Sequence, residues 1–166
     1  MMILRLCILL LFSFLFSCKT TTSADTGYKI YLVRHAEKID DGTRDPGLTK
    51  EGIIRAEKLA DLMSDKDIQA VYSTDYIRTS STAKPLSSRL NQEIRLYDPR
   101  DLKSTSTLLL SQQENALVVG HSNTTPALAN LILGQDHYEN FNESQYDQII
   151  LIECSKTNCT THLSRF

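Results

Sequence analysis

A short apolar segment that ends in charged side chains most strongly constrains how this chain can fold. Residues 28–33 are tyrosine, isoleucine, leucine and valine with a single lysine, a pattern typical of a buried strand and too short for a core helix. Arg34, His35 and Glu37 follow directly. Ligands of open α/β sheets bind at the carboxyl ends of the strands. The segment therefore predicts a strand that leads into a ligand site.

Strands and amphipathic helices alternate along the rest of the chain. This order predicts an α/β fold, a three-layer α/β/α sandwich with a mostly parallel central sheet. Further strands are predicted at 70–74, 94–96 and 116–120, helices at about 49–64, after 75, at 101–113 and at 123–133, and a closing hairpin at one edge of the sheet.

Local signals refine the first two helices. Thr49 and Asp75 are predicted as their N-caps, and Ile53 is expected on the face of the first helix that packs against the sheet. Pro85 predicts a kink or a restarted turn in the second helix.

The first 27 residues are predicted to lie outside the folded domain. Arg5 and the apolar run Leu6–Phe16 resemble a secretory signal, and the run is shorter than the roughly 20 residues of a membrane span. Leu15–Cys18 resembles a bacterial lipoprotein box, with ordinary secretion as the alternative. We therefore expect a signal peptide at 1–17, a polar tether at 18–27 and one domain at 28–166. The predicted location is the cell envelope, with a lipid on Cys18 as the membrane anchor.

The net charge and the cysteines limit which partners and cross-links we expect. The formal charge is −2, and −3 after loss of Arg5, so no overall positive field would recruit nucleic acid. Cys154 and Cys159 flank four polar residues, which favours a disulfide across a hairpin. A zinc half-site and two free thiols are the alternatives, and the oligomeric state is not predicted.

Four side chains are predicted to meet at one edge of the sheet. Arg34 and His35, Arg78, and His121 each follow a different strand. Each alone fits a surface ion pair or a hydrogen-bonded strand end, but together they indicate a site for a phosphoryl group. We predict no metal and no cofactor at this site, because two guanidinium groups beside two imidazoles would repel a cation and no His-rich spacing such as HExxH is present.

These segments resemble the histidine phosphatase superfamily, also called phosphoglycerate-mutase-like. Its motifs are matched in order by Val33–Glu37, by Asp45–Gly52, by Ser73–Ala83 and by Val118–Ser122. Two positions depart from the usual glycine, with Ala36 in the first motif and Ser122 in the last.

The resemblance implies roles for individual residues. His35 would be the nucleophile, and Arg34, Arg78 and His121 would hold the phosphoryl oxygens, with Ser122 also at the substrate. A carboxylic acid would protonate the leaving group. Asp98 is favoured by its position after the third strand, and Asp101 and Glu37 are the alternatives.

The predicted function is that of an exported phosphatase. It would hydrolyse a phosphomonoester through a phosphohistidine on His35, with a small phosphorylated molecule or a phosphoprotein as substrate. One alternative is a binding module that retains an anion pocket without turnover. The other is a phosphotransferase of the phosphoglycerate mutase type.

Overall fold

The computed structural model describes residues 27–166. The predicted signal peptide, Cys18 and all of the predicted tether except Gly27 lie outside the described residues. Within them the elements are, in chain order, β1 Tyr28–Arg34, α1 Lys50–Met63, β2 Ala70–Thr74, α2 Ile77–Arg89, β3 Ile94–Tyr97, α3 Leu102–Gln112, β4 Ala116–Gly120, α4 Thr124–Leu133, β5 Gln148–Cys154 and β6 Cys159–Arg165.

The strands form one mostly parallel sheet. Their order is β3-β2-β4-β1-β5-β6, and all pairings among β1 to β4 are parallel. The pairings of β5 with β1 and of β6 with β5 are antiparallel. The predicted α/β fold and the closing hairpin at one edge are therefore confirmed.

Alternate residues of β1 point into two cores on opposite faces of the sheet. Ile30 and Leu32 pack with residues of α3 and α4, whereas Tyr31 and Val33 pack with residues of α1 and α2. This alternation is the period-2 geometry of a strand that is buried on both faces. It places the sheet between two helical layers, as the sequence predicted.

Helix α1 begins as predicted but is rotated about its axis. The Thr49 hydroxyl accepts a hydrogen bond from the Gly52 amide at 3.1 Å. Ile53 is 55% exposed, so its predicted place on the buried face is wrong. The reason is Gly52, where an added Cβ would lie 2.3 Å from the carbonyl oxygen of Glu37. The close approach of the β1–α1 loop thus turns Gly52, rather than Ile53, inward.

Helix α2 differs from its prediction at the N-cap. Tyr76, not Asp75, occupies the N-cap position and makes no side-chain capping bond. The carboxylate of Asp45 accepts the Ile77 amide instead, at 2.9 and 3.1 Å. The helix then continues through Pro85 to Arg89, so no turn restarts there, and Ala83 and Leu86 on either side are buried.

The hairpin brings its two cysteines together. Cys154 and Cys159 are paired in the β5–β6 register, and their sulfur atoms lie at a bonding distance of 2.01 Å. The formation of this disulfide in the protein stays a prediction. None of the helices within residues 27–166 is long and apolar enough to cross a membrane.

Candidate active site

The sheet places the four predicted side chains together. Arg34 ends β1 opposite Gly120, the last residue of the parallel neighbour β4, so His35 and His121 leave the sheet side by side. Their ring centroids lie 5.6 Å apart. Arg78 reaches the same point from the first turn of α2, with Nη2 3.5 Å from Nδ1 of His121. The predicted meeting of these residues is observed, and their chemical roles stay predictions.

His35 is held as a neutral ring with one free nitrogen. Its Nδ1 lies 2.8 Å from the carbonyl oxygen of Ala36, which can only accept, so Nδ1 carries the proton and Nε2 has the lone pair. Burial lowers the pKa of His35 to about 3, and the charges of Arg34 and Arg78 act in the same direction. Nε2 is therefore available as a nucleophile at neutral pH.

His121 is fixed by a chain of hydroxyl groups. Its Nε2 lies 3.0 Å from the Thr74 hydroxyl, which lies 2.9 Å from the Thr79 hydroxyl. Because Nδ1 faces the guanidinium of Arg78, Nδ1 accepts and Nε2 donates. Burial, followed by the charge of Arg78, lowers the pKa of His121 to about 4.

Arg34 is buried and bound by the loop that precedes β5. Its Nη1 donates to the carbonyl oxygens of Asn142, Glu143 and Gln145 at 3.1, 2.9 and 3.4 Å. The guanidinium carbon also lies 4.2 Å from the centre of the Tyr146 ring. The Nε group is buried and has no partner within the described residues. Arg34 therefore has both a structural attachment and a donor that remains to be satisfied.

Arg78 is oriented by the loop before α1 and by its own helix. Its Nη1 lies 3.3 Å from the Asp45 carboxylate, and its guanidinium carbon lies 4.4 Å from the centre of the Tyr76 ring. The same ring contacts His121 edge-on, with centroids 5.0 Å apart. Tyr76 thus packs against two of the predicted phosphoryl-binding side chains.

Gly120 is required where β4 enters the site. An added Cβ would lie 2.8 Å from the Tyr97 hydroxyl and within 3.0 Å of the hydroxyls of Thr124 and Thr125. Thr124 also accepts the His121 amide at 2.9 Å. A small residue here lets the start of α4 approach β4 and set the position of His121.

Each of the three carboxylates considered as a proton donor either forms an ion pair or caps a helix. Asp98 is exposed and paired with Arg100, which lowers its pKa, and Asp101 caps α3 through the Ser104 amide, which lowers its pKa as well. Burial raises the pKa of Glu37, but the hydrogen bonds and charge of Arg55 outweigh that effect and lower it. Asp98 lines an open cavity of about 520 Å³ that Tyr76 also borders. Asp98 is thus near the site, but as an ion-paired carboxylate.

Several site residues were not found from the sequence. Glu143 and Tyr146 lie in a polar loop without a motif, and Thr74 was assigned only to a strand. Asp45 was part of a matched motif, but its contacts with α2 carry no local signal. Within residues 27–166 no group of three or more His, Cys, Asp or Glu side chains is arranged to hold a metal ion.

Comparison with known proteins finds a family that part of this chain resembles. Residues 30–100 match the model of the histidine phosphatase superfamily (branch 1). No curated protein matches the chain by sequence. The predicted resemblance to the histidine phosphatase superfamily is confirmed by the family match together with the fold.

Solved structures share the fold over most of their length at low sequence identity. The protein histidine phosphatase SixA complexed with tungstate is 16% identical, with a TM-score of 0.66 over 82% of this chain and 96% of that one. The alpha-ribazole phosphatase of Shigella flexneri is 16% identical, with a TM-score of 0.68 over 83% and 96%. A phosphoserine phosphatase mutant of Entamoeba histolytica in complex with phosphoserine is 16% identical, with a TM-score of 0.62 over 81% and 94%.

Proposed function

We propose that the protein is a phosphatase that works through a phosphohistidine on His35. The observation that carries the proposal is the bond from Nδ1 of His35 to the Ala36 carbonyl, which leaves the Nε2 lone pair free in the field of Arg34 and Arg78. In the first step Nε2 attacks phosphorus, the bond to the leaving oxygen breaks, and that oxygen keeps the electron pair. Water then attacks phosphorus and gives up a proton, the N–P bond breaks, and its electrons return to Nε2; over the two steps one proton passes from water, through solvent, to the leaving oxygen.

The cationic groups around His35 supply the stabilisation that this reaction needs. A phosphoryl transition state spreads negative charge over three oxygens, so donors that are already in place contribute most of the rate. Arg78 and the guanidinium of Arg34, whose Nε group has no partner within the described residues, provide charged donors. Because Nε2 of His121 bonds Thr74, its Nδ1 would donate to an oxygen only after protonation. Arginine is therefore expected to bear most of this stabilisation.

The state of the carboxylates favours a particular class of substrate. Glu37, Asp98 and Asp101 are ion-paired or serve as a cap, and the pKa of each is lowered. A group that is ionised at neutral pH is a poor general acid. Substrates whose leaving group needs little protonation, such as aryl phosphates and N-phosphorylated side chains, should therefore react faster than alkyl phosphates.

The proposal is tested by trapping the intermediate. After a rapid quench at neutral to alkaline pH, intact-mass and peptide analysis should find a phosphoryl group on His35. His35→Ala should lose both the label and aryl phosphate hydrolysis while remaining folded, because His35 lies beyond the apolar part of β1. His162→Ala, an exposed histidine of β6, is the matched control and should keep both. Turnover by His35→Ala near the wild-type rate would exclude the mechanism.

We further propose that the enzyme is exported and anchored by a lipid on Cys18. The support is the apolar run and the lipoprotein-like box in the sequence. Cys18→Ser should abolish lipid labelling and partition into detergent, whereas Cys154→Ser should retain both. A Cys18→Ser protein that fractionates like its parent would contradict the anchor.

A further inference from the structure

Glu143 bonds two side chains, Arg34 and Ser122, that the sequence predicted to lie at the substrate. One carboxylate oxygen lies 2.6 Å from Nη2 of Arg34, and the other accepts the Ser122 hydroxyl at 2.8 Å. The hydrogen bond from Ser122 and the charge of Arg34 lower the pKa of Glu143. The protein therefore presents its own anion to the donors that a phosphoryl group would use.

The loop does not depend on this side chain for its position. Arg34 Nη1 bonds the loop through three main-chain carbonyl oxygens, including that of Glu143 itself. The Phe141 amide donates to the Ser122 carbonyl at 2.9 Å, and the Phe141 ring is buried. The side chain of Glu143 is 76% exposed, so its carboxylate has free space on the solvent side. Its carboxylate can leave Arg34 while the loop stays attached.

We propose that Glu143 is an internal anion that competes with the phosphoryl group for Arg34 and Ser122. This inference rests on the proposed function for Arg34 and on the predicted place of Ser122 at the substrate. An incoming phosphoryl group displaces the Glu143 carboxylate toward its solvent side. There the carboxylate faces the part of the substrate beyond the phosphoryl group. Free phosphate must make the same exchange, so the product is held weakly.

Calorimetric titration with inorganic phosphate tests the competition without any turnover. Glu143→Gln keeps the shape of the side chain but removes its charge, and it should lower the Kd of phosphate about fivefold to tenfold, as expected for the loss of one partly exposed charged competitor. Glu143→Ala should also lower the Kd. Glu139→Gln removes the same charge from an exposed position of the same loop and should change the Kd less than twofold.

Each outcome of this titration decides the proposal. An unchanged or raised Kd in both Glu143 variants would mean that the carboxylate positions Arg34 rather than competing for it. An equal fall in the Kd of phosphate in Glu139→Gln would show that the effect comes from the overall negative charge of the loop. Either result overturns the inference. The phosphatase proposal is judged separately, by the phosphoryl label on His35.

Discussion

His35 and His121 are both neutral rings, but their contacts suit them to different tasks. The carbonyl of Ala36 fixes the proton of His35 on Nδ1 and leaves Nε2 free to attack. In His121 both nitrogens are engaged, by Thr74 and by Arg78. The difference explains why only His35 has the geometry of a nucleophile, although the two residues follow neighbouring strands.

Arg78 offers the clearest test of a single donor. Arg78→Ala should lower kcat for an aryl phosphate by about two to three orders of magnitude, the usual cost of losing one preorganised donor. Arg89→Ala is a matched control, since Arg89 lies at the far end of the same helix and pairs with Glu57 and Asp61. A fall in kcat of less than tenfold in Arg78→Ala would show that Arg78 does not stabilise the transition state as proposed.

The two neutral histidines predict how stability depends on pH. The folded pKa values are about 3 for His35 and about 4 for His121, below the ordinary value of 6.5. Between 6.5 and those values the unfolded chain binds protons that the folded protein does not, so stability falls as the pH falls. Each histidine contributes up to about 1.4 kcal/mol per pH unit in that window.

Denaturant unfolding between pH 7 and pH 5 measures this slope. His35→Gln and His121→Gln should each make the loss of stability on acidification shallower, whereas the exposed control His162→Gln should follow the wild type. A wild-type slope that persists in both single variants would show that other groups take up the protons.

At the level of elements, the cap of α2 comes from another segment of the chain. Asp45 lies 32 residues before Ile77 and both caps the helix and pairs with Arg78. Asp45→Ala should cost about 0.5–2 kcal/mol of unfolding free energy and raise KM, because Arg78 loses its support. Thr49→Ala removes the cap of α1 and should lower stability without the change in KM. Equal KM values in the two variants would show that Asp45 does not position Arg78 for the substrate.

The closing hairpin offers a second test at this level. Thiol titration of the unreduced, denatured fragment 27–166 should find no free thiol, because Cys154 and Cys159 are its only cysteines. Reduction should cost about 2 kcal/mol of stability, since a short ring gains little from loop closure. Turnover should stay near normal, and two free thiols would show that the bridge does not form.

The sequence predicted the features that depend on local patterns. It missed the features that depend on contacts between residues far apart in the chain. Apolar runs, apolar periodicity and turn or capping residues indicated the elements, and Arg34, His35, Arg78 and His121 could be placed because they lie at or after the ends of strands of a parallel sheet. Glu143 lies 109 residues from Arg34, and no local pattern marks their contact. Ile53 was misplaced for the same reason, because the carbonyl of Glu37 sets the rotation of α1 at Gly52.

At the scale of the whole molecule, the order of the strands determines what the site can bind. Parallel strands β1, β4 and β2 are adjacent, so their carboxyl ends bring two guanidinium groups and two imidazoles to one edge. Three of the four imidazole nitrogens already face a carbonyl, a hydroxyl or a guanidinium. The edge is therefore arranged for an oxyanion rather than for a cation.

This arrangement predicts that hydrolysis does not depend on a divalent metal. Dialysis against EDTA should leave kcat/KM for an aryl phosphate unchanged, because the arginines supply the positive charge that a metal ion would otherwise provide. Added Mg²⁺ or Zn²⁺ should not raise the rate of the dialysed enzyme, whereas tungstate should inhibit it by occupying the oxyanion site. A loss of activity that a divalent cation restores would contradict this prediction and would require ligands other than the two histidines.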